Sequence, residues 1–247
     1  MNTKENRIAL IPARLESQRL PEKLLLSLGD LPIIVRTYQA VLKSGLFDKV
    51  VVICNHSSLA AVLDQYNCEY IFNETHFESG TDRIANELGQ FPYEIIVNVQ
   101  GDEPFIKKNQ LKYLVEQFDN KEVEIATLKH KLVDVQDIEN PNFVKVVCNE
   151  KGRALYFSRS PIPFNRDESK HFACYKHIGV YAYKHSVLLQ LSQMQPSKLE
   201  LCEKLENLRM IEYGFYVSVA EVDEPQIAID TIEDYRQAVQ FFESGDR

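Results

Sequence analysis

Ile8-Ala9-Leu10-Ile11-Pro12-Ala13-Arg14-Leu15-Glu16-Ser17-Gln18-Arg19-Leu20-Pro21-Glu22-Lys23-Leu24-Leu25 is the stretch that decides the fold. Four apolar residues end at a proline, and a basic loop follows. A short, unbroken apolar run bounded in this way reads as a strand buried on both faces. Pro12 and Pro21 discourage helix, so the loop is extended. Arg14, Arg19 and Lys23 place three cations within ten residues. A loop at the carboxyl end of a buried strand is where open α/β sheets bind ligands. There, Arg forks meet phosphate oxygens and Lys acts as a point charge. Neither GxxxxGK[ST] nor GxGxxG is present. Spacing alone leaves two readings open, a loop that wraps a triphosphate and a solvated basic loop.

Outward from this loop, the pattern alternates. Helical spacing over 33–46 is followed by a β-branched strand over 49–54, a helix over 57–66 and a strand over 69–72. A helix over 80–88, a strand over 94–99, a helix over 108–118 and a strand over 123–128 come next. This alternation predicts an α/β fold, a mostly parallel sheet with helices on both faces. The rhythm changes beyond it. Strands over 142–147 and 154–158, joined by Asn149-Glu150-Lys151-Gly152, read as a hairpin, and a third strand covers 175–183. These predict an inserted antiparallel section, a lid or dimerisation lobe, over 140–210 of one domain spanning 1–247. Helices over 186–194 and 198–210, a strand over 216–222 and a helix over 231–242 complete the chain.

Composition narrows the partners. Apolar residues make up 45% of the 247, enough for a full core. A net charge of −8 argues against nucleic acid as a partner, and any anion site must gather its cations locally or use a metal ion. Five scattered cysteines without a CxxC support neither a disulfide framework nor a zinc site. No apolar run approaches the roughly 20 residues of a membrane span. No secretory h-region follows the polar N-terminus. The expectation is a cytoplasmic protein with no membrane insertion.

Further segments carry possible chemistry. Val97-Asn98-Val99-Gln100-Gly101-Asp102-Glu103-Pro104 runs a strand into a tight turn, where Asp102 either holds Mg²⁺ beside a phosphate or caps the turn. Ile229-Asp230-Thr231-Ile232-Glu233-Asp234 opens the last helix. Asp230 and Glu233 imitate a capping box, with a second metal ligand as the other option. Val222-Asp223-Glu224-Pro225 imitates the Asp102 motif but lacks the Gln-Gly turn. Ser79-Gly80-Thr81-Asp82-Arg83 either caps a helix or grips an anion or a base edge. Arg159, beside a proline-stiffened turn, suits bidentate recognition of a carboxylate. His177, in an apolar strand, is either a hydrogen-bonded structural residue or one in substrate contact, rather than a base.

Taken together, PARLESQRLPEK, SGTDR, VNVQGDEP, NPNFVKVV, ALYFSRSPIP, KHIGVY, LENLR and IDTIED, in that order, resemble the 3-deoxy-manno-octulosonate cytidylyltransferases. The resemblance covers nearly the whole chain. It implies a Rossmann-like nucleotidyltransferase fold and transfer of CMP from CTP to the anomeric 2-hydroxyl of an acidic eight-carbon sugar. It also implies a Mg²⁺ cofactor, a homodimer and a place in lipopolysaccharide synthesis. By resemblance, Ala13, Arg14, Arg19, Lys23, Ser79, Gly80 and Gln100 bind CTP. Asp102 and Asp230 hold the metal, with Lys23 and Arg14 completing the catalytic set. Arg159, His177, Tyr181, Glu206 and Asn207 hold the sugar. An 8-amino-8-deoxy sugar, a sialic acid, or a non-catalytic nucleotide-sugar sensor are the competing readings.

Five positions depart from the family pattern. Glu22 stands in place of Gly, Asn55 in place of a Thr-Asp pair, and Asn207 in place of Gln. Ala228 and Ile232 replace Gly and Pro around Asp230.

Overall fold

A computed structural model describes residues 6–17, 19–77, 79–167, 172–224 and 227–245. Gln18 of the basic loop and Pro225 of the 222–225 segment lie outside the described residues. The chain divides into two compact units. One joins Met1–Leu111 to Gln226–Arg247, and the other is Lys112–Pro225. The section expected over 140–210 falls inside the second unit, which is wider than that expectation.

The first unit contains β1 (Arg7–Ala13), a two-stranded ribbon of β2 (Ser27–Leu28) and β3 (Leu31–Pro32), α1 (Ile33–Ser44), β4 (Lys49–Cys54), α2 (Ser57–Gln65), β5 (Tyr70–Phe72), α3 (Gly80–Glu87) and β6 (Ile95–Asn98). Its four main strands are parallel and lie in the order β6-β1-β4-β5. Ile8 to Ile11 of β1 are completely buried, as the apolar run requires. The chain steps from β1 to β4 to β5 in one direction and then returns past β1 to β6. Right-handed crossovers therefore put α1 and α2 on one face and α3 on the other. Helix α1 stops at Ser44, two residues before the expected end, because Gly45 takes the left-handed conformation of a C-cap (φ 66°). Helix α4 (Lys108–Glu116) spans the boundary at Leu111–Lys112.

The second unit contains β7 (Ile125–Leu132), α5 (Val135–Glu139), β8 (Lys145–Cys148), β9 (Ala154–Ser158), β10 (Cys174–Lys184), α6 (His185–Ser192), α7 (Lys198–Glu203), α8 (Asn207–Glu212) and β11 (Val217–Val222). Its strand order is β11-β7-β10-β8-β9, and only β11–β7 is parallel. The expected antiparallel section is present. Asn149 closes the β8–β9 turn by accepting from the backbone N–H groups of Lys151 and Arg153, with Gly152 at φ 77°. Several boundaries differ from expectation, three of them notably. The strand expected over 142–147 begins only at Lys145, and the one expected over 123–128 runs on to Leu132. The helix expected over 198–210 is two helices, because Lys204 sits in the left-handed region (φ 55°) and ends α7 there. The short α5 was not anticipated, since its five residues bury no side chain.

The chain returns to the first unit for α9 (Ile232–Glu243). This helix is pinned through Tyr235, whose hydroxyl donates to the Ser27 carbonyl (2.6 Å), and through Phe241, which meets Phe105 edge-on. Among the described residues, no helix is long and apolar enough to cross a membrane.

Candidate functional site

The carboxyl ends of β1 and β6 open into a cleft of about 660 Å³ in the first unit. Arg14, Arg19, Lys23, Gln100, Asp102 and Asp230 all line it. The basic loop is built into the fold by two attachments. After Pro21, Glu22 takes a left-handed conformation that starts a 3₁₀ turn, Lys23–Leu25, with the Leu25 N–H donating to the Glu22 carbonyl (2.8 Å). Leu24 is buried, which turns Lys23 toward the cleft. Near the loop's start, Asn55 uses both ends of its amide. Its oxygen accepts from the Leu15 N–H (3.2 Å) and its nitrogen donates to the Glu16 carboxylate (2.9 Å). That bond is the main reason the Glu16 carboxyl titrates below its ordinary value.

Asp102 is placed by backbone pinning. The Thr37 hydroxyl of α1 donates to the Gly101 carbonyl (2.9 Å). A side chain at Gly101 would press on Ile34 at 3.0 Å and on the Pro12 carbonyl at 3.3 Å, so this turn packs closely against β1 and α1. The Asp102 carbonyl in turn accepts from the Ile229 N–H (3.1 Å), which brings the far end of the chain alongside.

The helix cap beside it is shifted by one residue from expectation. Thr231 and Asp234 form the capping box of α9, not Asp230 and Glu233. The Asp230 side chain is thus left out of the cap and points at the basic loop. Lys23 Nζ lies 2.5 Å from Asp102 Oδ2 and 3.1 Å from Asp230 Oδ1. Arg19 pairs with the other oxygen of Asp230. Burial alone would lower the Lys23 pKa, but the two carboxylates outweigh it and hold the ammonium above its ordinary value.

The remaining nucleotide candidates flank this cluster. Ser79 caps α3 by accepting from the Asp82 N–H (3.0 Å) and donates its hydroxyl to the Asp82 carboxylate (2.8 Å). Gly80 lies so near Pro12 and the Gln100 amide that an added side chain would touch both. Gln100 donates to Asn98 (3.0 Å), leaving its oxygen beside Gly80. Ala13 is buried at the end of β1. His76 also lines the cleft and was missed in the sequence, since no motif surrounds it. The loss of charge at Asn55 was visible there, but not the contact it makes.

All five sugar candidates lie in the second unit. Three come together: His177 and Tyr181 are neighbours on β10 (5.3 Å between ring centres), and Tyr181 bonds to the Asn207 side chain. The Thr127 hydroxyl lies within hydrogen-bonding distance of the Ile178 and Val180 carbonyls and of His177 Nε2 (3.0 Å). Although the residue keeps some exposure, its ring is enclosed by Phe157 and Tyr181. Loss of water, helped by Lys176, pulls its pKa down to about 3. Asn207 is buried, and its oxygen has no hydrogen-bond partner among the described residues. Glu206 precedes it as the N-cap residue of α8.

Arg159 is engaged differently from expectation. Its guanidinium donates to the carbonyls of Glu203 (2.9 Å), Pro141 (3.1 Å) and Lys204 (3.4 Å). The Glu203 carboxylate accepts from the Ser158 hydroxyl and the Arg159 N–H. In this arrangement Arg159 clamps the turn that leads into Glu206 and Asn207. Asp223 and Glu224 follow β11 in the second unit.

Comparison with known proteins places this geometry in a family. Residues 8–224 match the cytidylyltransferase family. A 3-deoxy-manno-octulosonate cytidylyltransferase from Christiangramia forsetii is 39% identical over 239 residues, covering 96% of each chain. One from Chlorobium phaeobacteroides is 41% identical over 230 residues, covering 92% of this chain and 93% of its own. A solved CMP:2-keto-3-deoxy-manno-octonic acid synthetase, complexed with CTP, superposes with a TM-score of 0.93 at 32% identity, covering 98% of this chain and all of that one.

Proposed function

The chain belongs to the cytidylyltransferase family, and from that membership we infer that it transfers CMP from CTP to 3-deoxy-D-manno-octulosonate, releasing pyrophosphate. The observation that carries the reading is the convergence of Lys23, Asp102 and Asp230 in a cleft bordered by the basic loop. The sugar's 2-hydroxyl oxygen bonds to the α-phosphorus, the bond from that phosphorus to the bridging oxygen breaks, and the hydroxyl proton leaves to solvent. Such a transfer needs positioning and charge neutralisation more than covalent help.

Arg14 and Arg19 are suited to the phosphate oxygens as forks, and Lys23 as a compact charge. Gln100 and Gly80 form the part of the strand-end surface that would take the base, while Ser79 reaches it through the helix start it caps. Asp102 and Asp230 fit a divalent cation. Their oxygens already converge on one ammonium, and hard carboxylate donors completed by substrate phosphates are the set Mg²⁺ uses. When bound, Mg²⁺ would offset phosphate charge and polarise the α-phosphate. In the second unit, Asn207, Tyr181 and His177 gather polar groups suited to sugar hydroxyls, with Glu206 beside them and Arg159 holding the turn that leads to them.

We place the enzyme in the cytoplasm, where CTP is made, supplying an activated sugar for lipopolysaccharide synthesis. We also propose a homodimer. Its support is the exposure of Leu155 on β9, Leu201 on α7 and Tyr213 just past α8, which contacts both of those elements. Light scattering tests that assignment. The function is tested by pyrophosphate release from CTP and Mg²⁺ with 3-deoxy-manno-octulosonate, its 8-amino-8-deoxy analogue or a sialic acid. Release with the first is expected. Release only with the amino sugar would move the substrate assignment, and no release with any of them would overturn the function.

A further inference from the structure

Lys23 stands where a divalent cation would stand. The local charges are two carboxylates, Asp102 and Asp230, against two cations, Lys23 and Arg19, so the cluster is neutral as it is. Its Lys23–Asp102 pair is largely enclosed, with side chains 14% and 20% exposed, whereas Asp230 and Arg19 reach solvent at 35% and 59%. A dication arriving alone meets no net attraction. To reach the carboxylates it must expel a buried ammonium and leave it unpaired, which is the costly way to break a buried ion pair. Mg²⁺ also gives up its water reluctantly.

A triphosphate changes this balance. It offers acceptor oxygens to Lys23 and Arg19 at once, so both cations exchange carboxylates for phosphates while the three carboxylate oxygens they hold are released. The Lys23 side chain has the reach for this without moving its backbone. The 3₁₀ turn is held by the Leu25 and Leu26 N–H groups and by buried Leu24, whereas the four-carbon stem beyond it is free to change rotamer.

We propose that Lys23 is an internal placeholder that closes the carboxylate pair to divalent cations until a nucleotide's phosphates draw it away. Metal is thereby admitted with the nucleotide rather than before it. The proposal rests on the CTP reading above and adds an order of assembly to it.

Metal binding itself, without turnover, tests the idea. Mn²⁺ is titrated into the nucleotide-free protein, and unbound Mn²⁺ is followed by its electron paramagnetic resonance signal. The wild type should bind weakly, and Lys23→Met at least about tenfold more tightly, the size expected when one buried ion-pair partner is lost. Adding Asp102→Asn to Lys23→Met should abolish that gain. Arg19→Gln, at an exposed position, serves if Lys23→Met does not fold, and should show a smaller gain in the same direction. Equal Mn²⁺ affinity in wild type and both single variants would overturn the placeholder. Calorimetry with CTP in EDTA is the separate arm. CTP binding without metal is expected, whereas its absence would overturn the nucleotide reading and leave the Mn²⁺ comparison to decide the exclusion of metal.

Discussion

Glu22 sits at φ 53° and ψ 25°, a conformation in which a Cβ costs roughly 1–2 kcal/mol. Replacement by Gly relieves that strain but loosens the unfolded chain by about 0.4–1 kcal/mol. The relief is the larger effect, so Glu22→Gly should stabilise the protein by about 0.5–1 kcal/mol in urea unfolding, while Glu22→Ala, which keeps the Cβ, should gain nothing. The departure from Gly was legible in the sequence only as a charge beside Lys23. Its conformational meaning depends on backbone angles that no motif records. Asn55 is similar. Its replacement of a Thr-Asp pair was visible, but that its amide holds both Leu15 and Glu16 follows from β4 ending beside β1. Asn55→Ala should loosen the loop and raise KM for CTP about three- to tenfold with kcat within about twofold, the cost of one or two hydrogen bonds. An unchanged KM would show that the loop is positioned without it.

At the scale of elements, the clearest dependence is of α9 on the β2–β3 ribbon. Gly29 turns the ribbon at φ 66°, and a side chain there would fall on the Phe242 ring and within 2.8 Å of Arg36. The Arg36 guanidinium lies 4.1 Å from the centre of that ring, so the clash also disturbs a cation–π contact. Gly29→Ala should lower the unfolding free energy by about 2–4 kcal/mol, strain and overpacking together, read as a lower urea midpoint at constant m-value. Adding Phe242→Leu should recover the packing part and leave the backbone cost of about 1–2 kcal/mol. Parallel strands and the longer helices were legible because burial imposes their periodicity. The break between α7 and α8 was not. It depends on Arg159 and Glu203 gripping the turn from β9, a tertiary contact that overrides helical propensity over 198–210. The same contact engages Arg159, the expected sugar ligand. The sequence shows an arginine beside a rigid turn, but not the three carbonyls that receive it.

For the whole molecule, the discontinuous first unit explains how residues 128 positions apart in the chain, Asp102 and Asp230, meet: the Ile229 N–H binds the Asp102 carbonyl directly. Their order was legible as two motifs, and their pairing through Lys23 was not. Global stability should also carry a pH signature from one buried side chain of the second unit. His177 titrates at about 3 in the fold and at 6.5 when free, because burial removes water from its ring. Between those values the unfolded chain binds a proton that the folded chain does not, so stability rises with pH across this window. His177 therefore contributes its full stabilisation above pH 6.5, and the contribution falls away as pH drops toward 3. Carboxylates lose their own ion pairs in the lower part of this range, so the wild-type slope alone is a mixture. His177→Gln keeps a donor for Thr127 and removes the proton site. The difference in unfolding free energy between wild type and this variant should change by about 1.4 kcal/mol per pH unit below pH 6, with the wild type losing more. Urea titrations at pH 7, 6 and 5 measure it. Parallel curves would place the His177 proton in the folded state and remove the enclosed neutral ring as a determinant of this pocket.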